Sequence, residues 1–224
     1  VSRCKICGCL GWFTHISEAG VCTNCDHMLS LEIAQRSRRI EDCLRSADQT
    51  VNPGSKIARL DETLCQLEAL SKYEERGIRT IEGSPAAMSD DVRRRKDEVV
   101  AASAQADVQE TMARIQSIAL PERKIDLYGA LLVRLSEYRR RMSRGEKVAE
   151  LEDGVREAVR RIRLNVPMDR ARLAEARGQK EKALEAYREA LTFLRSNDPE
   201  RAALSRHIPE IERRIQALGG PPAA

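Results

Sequence analysis

Apolar residues recur every three or four positions along most of the chain, which is the spacing of one buried helix face. From Asp26 onward, Leu29, Ile33, Ile40, Leu44 and Ala47 trace a first helix. Asn52-Pro53-Gly54-Ser55 breaks it and offers Ser55 as the next N-cap, after which Ile57, Leu60, Leu64 and Leu67 form an a/d seam. Glu82 to Ala87 is the longest break; Ser89 is then expected to cap a third helix bearing Val92, Val99, Val108, Met112, Ile115 and Ala119, with Pro121 as its stop. Ile125, Tyr128, Leu132, Leu135 and Met142 mark a fourth helix, ended by Gly145. Val148, Leu151, Val155, Val159, Ile162 and Val166 mark a fifth, which Pro167 is expected to close. A shorter hairpin follows over Leu173–Leu194, then a helix starting at Asp198-Pro199 that carries Leu204, Ile208, Ile211, Ile215 and Leu218, with a kink or brief break at Pro209. Gly219 to Ala224 reads as a frayed, disordered tail.

The first 27 residues do not follow this rhythm. Cys4-Lys5-Ile6-Cys7-Gly8 and Cys22-Thr23-Asn24-Cys25-Asp26 are two Cys-x-x-Cys hooks separated by 14 residues. Each tight turn presents two sulfurs, so two turns facing each other supply four at zinc-bonding distance. Cys4, Cys7, Cys22 and Cys25 are therefore expected to hold a structural zinc ion with no open position for water. The competing reading, a dithiol redox centre, is expected on a thioredoxin-like βαβ frame, which the sequence lacks. Cys9 follows Cys7 by two residues; its sulfur is expected to point away from the metal, although it could replace a hook cysteine. His15 and His27 are read as surface or second-sphere residues, Cys43 and Cys65 as small core residues, and Trp12 and Phe13 as a cover for the zinc hairpin. The glycines and strand-favouring residues of 8–21 predict a short hairpin between the hooks.

A hairpin followed by a helix that starts at the second ligand pair is the treble-clef layout. The run Cys4-x-Ile6-Cys7-Gly8, Gly20-x-Cys22-x-x-Cys25, Leu29-Ser30 resembles a small bacterial zinc module of unknown function, found near the start of many uncharacterised proteins. More loosely, it is similar to the zinc finger of the DnaK-suppressor family of transcription factors. The likeness covers about an eighth of the chain and implies only the four cysteine ligands. The acidic coiled-coil tip of that transcription-factor family has no counterpart here, so its activity does not carry over. In the last third, Gly178, Ala183, Tyr187 and Ala190 fall at tetratricopeptide spacing. This resembles one tetratricopeptide repeat, with Gly178 in the turn, Ala183 at the close contact, and Tyr187 and Ala190 packing the pair. Arg170 in place of a leucine and the late Pro199 depart from that pattern, so an unrelated helical hairpin stands beside it as an alternative.

Composition narrows the function more than the fold. With 42% apolar and 33% charged residues in 224, the chain can bury a substantial core beneath a charged surface. Only 3% of residues are aromatic, which disfavours sheet-rich folds and base-stacking platforms. No apolar run approaches the ~20 residues of a membrane span. The start, Val1-Ser2-Arg3-Cys4, leaves no room for a signal peptide, and a cytoplasmic location with reduced thiols is expected.

The net charge of +4 permits an anionic partner without demanding one. Arg93-Arg94-Arg95-Lys96 is nearly neutralised by its acidic neighbours and reads as a solvated face. Arg134–Arg163 holds ten basic residues against six acidic ones, an excess of +4. The three histidines, His15, His27 and His207, are dispersed and fit no catalytic pattern, and no glycine-rich phosphate loop follows a strand. Glu181 and Glu185 lie among cations as on an ordinary exposed helix.

The expected protein is mostly α: a treble-clef zinc module at 1–27, long helical hairpins over 28–165, a tetratricopeptide-like hairpin region over 166–218 and a tail at 219–224. Stacked antiparallel hairpins suit a non-catalytic intracellular interaction or scaffold protein, with another protein as partner and the zinc module capping the stack or docking separately. The alternative is a nucleic-acid-binding regulator that uses the zinc module and Arg134–Arg163.

Overall fold

The computed structural model describes residues 3–10, 15–195 and 206–219. Among these the chain is mostly α, built of helical hairpins as the periodicity predicts, with no strand. The helices are α1 (Thr23–Gln49), α2 (Pro53–Glu74), α3 (Pro85–Gln116), α4 (Pro121–Arg141), α5 (Glu146–Ala176), α6 (Lys180–Arg195) and α7 (Ile208–Ala217). The chain divides into two compact units, Val1–Ala104 with Tyr138–Gly145, and Gln105–Glu137 with Glu146–Ala224.

In the first unit α1 and α2 form an antiparallel hairpin. Their buried stripes meet as Ile40, Ala47, Leu60, Leu67 and Leu70, joined by Val92 of α3. The direction is fixed by cross-helix pairs that run in opposite order, Arg36 to Gln66 at 2.8 Å and Arg39 to Glu62 at 2.8 Å. Asn52, not Ser55, caps α2: its side-chain oxygen accepts the Ser55 N–H at 3.0 Å, with Pro53 in the first turn. Proline gives up no helical hydrogen bond there, so the helix begins earlier than the serine suggested. Cys43 is buried as expected, whereas Cys65 is exposed because the α2 seam passes through Thr63 and Leu67 instead.

α3 also starts early, at Pro85, and Ser89, the expected cap, is a buried residue of its inner face. That face continues through Val92, Val100 and Ala104, one position off the predicted Val99. The basic run is only half a solvated face. Arg93 and Arg94 pair within α3 with Asp90 and Asp91, but Arg95 reaches Asp48 of α1 and Lys96 reaches Asp61 of α2 at 2.9 Å. Asp97 accepts the backbone N–H groups of Ser143 and Arg144 at 2.9 and 3.0 Å, tying the turn after α4 into this unit.

In the second unit, the α3 face runs through Val108, Thr111 and Ile115, leaving the predicted Met112 half exposed. Arg134 of α4 pairs with Asp107 at 3.3 Å and donates to the Thr111 hydroxyl at 3.3 Å. Pro121 does not stop α3, which ends at Gln116; it opens α4. Pro167 does not close α5 either. The helix passes through it to Ala176, and Pro167 is itself buried. A proline inside a helix costs about 3 kcal/mol. Leu164 and Met168 on either side are buried in the α5–α6–α7 core, and each such side chain is worth about 1.5–3 kcal/mol. Burial outweighs the lost hydrogen bond.

α5 and α6 turn at Gly178 (φ 70°), a left-handed conformation that glycine adopts without strain. Ala183, Tyr187 and Ala190 are buried, as the spacing predicts. The Tyr187 hydroxyl donates to Glu175 at 2.9 Å, and Arg214 of α7 donates to the same carboxylate at 3.3 Å. Pro209 lies in the first turn of α7 rather than at a kink within it. The expected helix start at Asp198-Pro199 and the tail beyond Gly219 lie outside the described residues. No helix among the described residues is long and apolar enough to cross a membrane.

Candidate metal centre

The N-terminal segment is a set of turns held by backbone hydrogen bonds. Gly8 donates to the Cys4 carbonyl at 2.9 Å, and Cys4 donates to that of Cys9 at 2.9 Å. Gly8 sits at φ 71°, which lets the chain double back after Cys7. Lys5 donates to the Gly20 carbonyl and Ser17 to the Val21 carbonyl, each at 2.9 Å. In place of the predicted hairpin, the described residues show two isolated antiparallel bridges, Arg3 with Leu10 and Ile16 with Cys22. The segment between them, with Trp12 and Phe13, lies outside the described residues.

These turns gather sulfur. The Sγ atoms of Cys4, Cys7, Cys9 and Cys22 all lie within 4.8 Å of one another, a group that can hold a metal ion. Cys7 and Cys22 are 3.7 Å apart. A tetrahedral site with Zn–S bonds of ~2.3 Å has edges of about 3.8 Å, whereas a disulfide would need about 2.05 Å. All seven cysteines are free thiols. Cys25, in the first turn of α1, packs against the cluster that holds Cys4 and Cys22 but is not a member of this group of four. Three of the four predicted hook cysteines, Cys4, Cys7 and Cys22, thus converge with Cys9, while the fourth, Cys25, packs beside them.

The fourth member of the group is Cys9, whose sulfur was expected to point away. The left-handed Gly8 reverses the chain between Cys7 and Cys9, so Cys9 returns alongside Cys4. The glycine inside Cys7-Gly8-Cys9 was the available signal; the reading by Cys-x-x-Cys spacing alone passed over it. His15 and His27 are exposed and belong to no ligand group among the described residues.

The thiols do not share one electrostatic environment. Backbone N–H groups converge on Cys4, that of Cys7 most strongly and that of Cys22 at 3.3 Å, and pull its thiol down to about 6 from the ordinary 9.0. The Cys22 thiol is also lowered, chiefly by the Cys25 N–H. Cys25 is pushed up, first by the neighbouring Cys7 sulfur and then by that of Cys22, with burial adding to both. Amide donors aimed at sulfur favour the thiolate, the form that binds metal.

The cysteine group rests on the α1–α2 hairpin. Val21, Cys4 and Cys22 pack with Leu29 of α1 and with Ile78, just beyond α2; Ile33 and Tyr73 border them. The module therefore covers one end of that hairpin's apolar seam.

Elsewhere, four of the ten basic residues of Arg134–Arg163 are in ion pairs with carboxylates. Besides the Arg134–Asp107 pair, Arg156 pairs with Glu152 and Asp153, and Arg160 and Arg161 both pair with Glu157. Two shallow grooves are open instead. In the first unit, Leu31, Ala34, Arg38, Arg39, Asp42 and Arg59 contribute to one of about 640 Å³. In the second, Arg170, Leu173, Arg177, Lys182, Glu185 and Ala186 contribute to one of about 370 Å³. Leu31 and Leu173 are more than half exposed. No protein-family model, curated protein or solved structure matches the chain.

Proposed function

We propose that this chain is a non-catalytic interaction or scaffold protein whose N-terminal cysteines hold a structural zinc ion. The hook cysteines Cys4, Cys7, Cys22 and Cys25 supply thiolates, and the ion supplies a cross-link between turns that have little apolar core of their own. The packing of this module on Leu29 and Ile78 supports a role as a cap for the α1–α2 hairpin. Gly178, Ala183, Tyr187 and Ala190 support reading the α5–α6 pair as tetratricopeptide-like, a module suited to holding another protein.

The observation that carries the interaction reading is the α1–α2 groove around Leu31. It presents an exposed leucine among Arg38, Arg39 and Arg59 with Asp42 as the one acid among its lining residues. Arg39 already pairs with Glu62. Such a surface fits a protein segment with apolar and acidic side chains. The α5–α6 groove repeats the pattern, with Leu173 among Arg170, Arg177 and Lys182 against Glu185. The nucleic-acid reading stands second, because four of the ten cations it relies on, Arg134, Arg156, Arg160 and Arg161, already pair with neighbouring carboxylates.

A photo-crosslinking residue at position 31, compared with one at the fully exposed Val51, tests this in the native cell. The expected result is a single protein adduct at 31, identified by mass, that rebinds the purified chain and is lost on Arg38→Glu. Adducts no more frequent at 31 than at 51 would overturn the reading. Nucleic-acid adducts, with affinity for a generic duplex falling steeply with salt, would favour the alternative.

A further inference from the structure

A closed zinc site uses four ligands, and this module gathers four sulfurs with a fifth, that of Cys25, packed beside them. Cys4, Cys7 and Cys22 belong to either set of four: they lie mutually within 4.8 Å, and Cys25 packs against the cluster that holds Cys4 and Cys22. Cys9 completes the group from the turn after Gly8, and Cys25 approaches it from the first turn of α1. Both are half-buried, so neither is sealed in nor swung into solvent. The two sulfurs come from independent pieces of backbone, one anchored by the Cys4–Cys9 hydrogen bond and the other by the helix. Removing either leaves the other's support intact.

We propose that Cys4, Cys7 and Cys22 are fixed ligands, and that Cys9 and Cys25 are interchangeable occupants of the fourth position. The loaded module then keeps one thiol free beside the ion. This rests on the metal-binding reading above. The exchange is a thiolate substitution at the metal: one Zn–S bond forms as another breaks, the incoming thiol releases its proton to water, and the outgoing thiolate takes one up. Nothing is oxidised or reduced. A neighbouring thiol of this kind offers the ion an associative route off the site, so zinc should pass to a competing chelator faster than from a module with only four cysteines.

The test uses the full chain loaded with zinc. Maleimide labelling of the native protein, read by peptide mass, should modify the Cys9 and Cys25 peptides to a combined total of about one label per chain, leaving Cys4, Cys7 and Cys22 protected. Exposed Cys65 provides the reference for a freely reacting thiol. Cys9→Ser and Cys25→Ser should each retain one zinc per chain with less than about a tenfold loss of affinity. The double variant should lose about 100-fold, as should Cys4→Ser, Cys7→Ser or Cys22→Ser alone. Label confined to Cys9, with Cys25→Ser alone losing the ion, would overturn the exchange and fix the set as the four hook cysteines; the reverse pattern would overturn it by fixing Cys9. Because labelling is read on the unaltered chain, a variant that failed to fold would not blunt the test. Wild-type protein that binds no zinc would instead overturn the metal reading itself.

Discussion

The cysteine module and the α5–α6–α7 hairpin core solve the same problem with different chemistry. The hairpin core buries ten residues, among them Leu164, Tyr187, Leu191, Ile211 and Ile215, in one continuous cluster. The module's cluster has five, two of which are cysteines and one of which, Leu29, is lent by α1. At about 25 cal/mol per Å² of apolar surface, the module's remaining side chains cannot offset the ordering of some twenty residues at ~1.5 kcal/mol each. Structural zinc sites in small modules supply apparent binding energies of about 10–16 kcal/mol, enough to change that balance. On the zinc reading proposed above, one region is conditional on a ligand, and the other depends on burial.

The sharpest way to break this contrast is to remove the metal. Chelation, or Cys22→Ser, should unfold residues 3–22 and release their amide hydrogens to exchange, while α5, α6 and α7 keep their protection. Exchange mass spectrometry reads both regions at once. Loss of protection throughout α1 and α2 as well would show that the cap is needed by the hairpin beneath it.

Next in size, Ile211→Ala deletes a fully buried side chain from the α7 contact and should cost about 2–5 kcal/mol in denaturant unfolding without altering zinc content. A parallel loss of zinc would mean that the two regions are not energetically independent. Ala183→Leu should cost about 1–3 kcal/mol by overpacking the α5–α6 contact, and an unchanged stability would argue against close approach there. The smallest effect expected is that of Asn52→Ala, about 1 kcal/mol from loss of the α2 cap, visible in the first unit's unfolding midpoint.

Much of the fold was legible because period and burial agree along α1, α2 and α6. Ala183, Tyr187 and Ala190 fall where their spacing places them, and the α1 and α2 seams meet through Ile40, Leu60 and Leu67. The errors gather at proline and at serine. Pro53, Pro85, Pro121 and Pro209 lie in the first turns of helices, where a missing N–H costs nothing, so they open elements that local reading placed later or had them interrupt. Pro167 is the opposite case: tertiary burial overrides a local breaker, and no local signal reports the strength of a core formed with α6 and α7. Ser89 was legible as a cap by type, but a hydroxyl can also sit on a buried helix face. At the candidate site, the convergence of Cys4, Cys7 and Cys22 followed from spacing, while Cys9 took the place expected for Cys25 through the sign of one backbone angle at Gly8.

Asp97 has a consequence for how this polypeptide comes into being. By grasping the amides of Ser143 and Arg144, it helps recruit residues 138–145 into the amino-terminal unit, whose other portion ends at residue 104. The chain therefore passes between the two units three times, and no single proteolytic cut can yield both of them whole. On the ribosome, the first unit cannot be completed until Gly145 has been translated, by which point the first stretch of its companion has already been made.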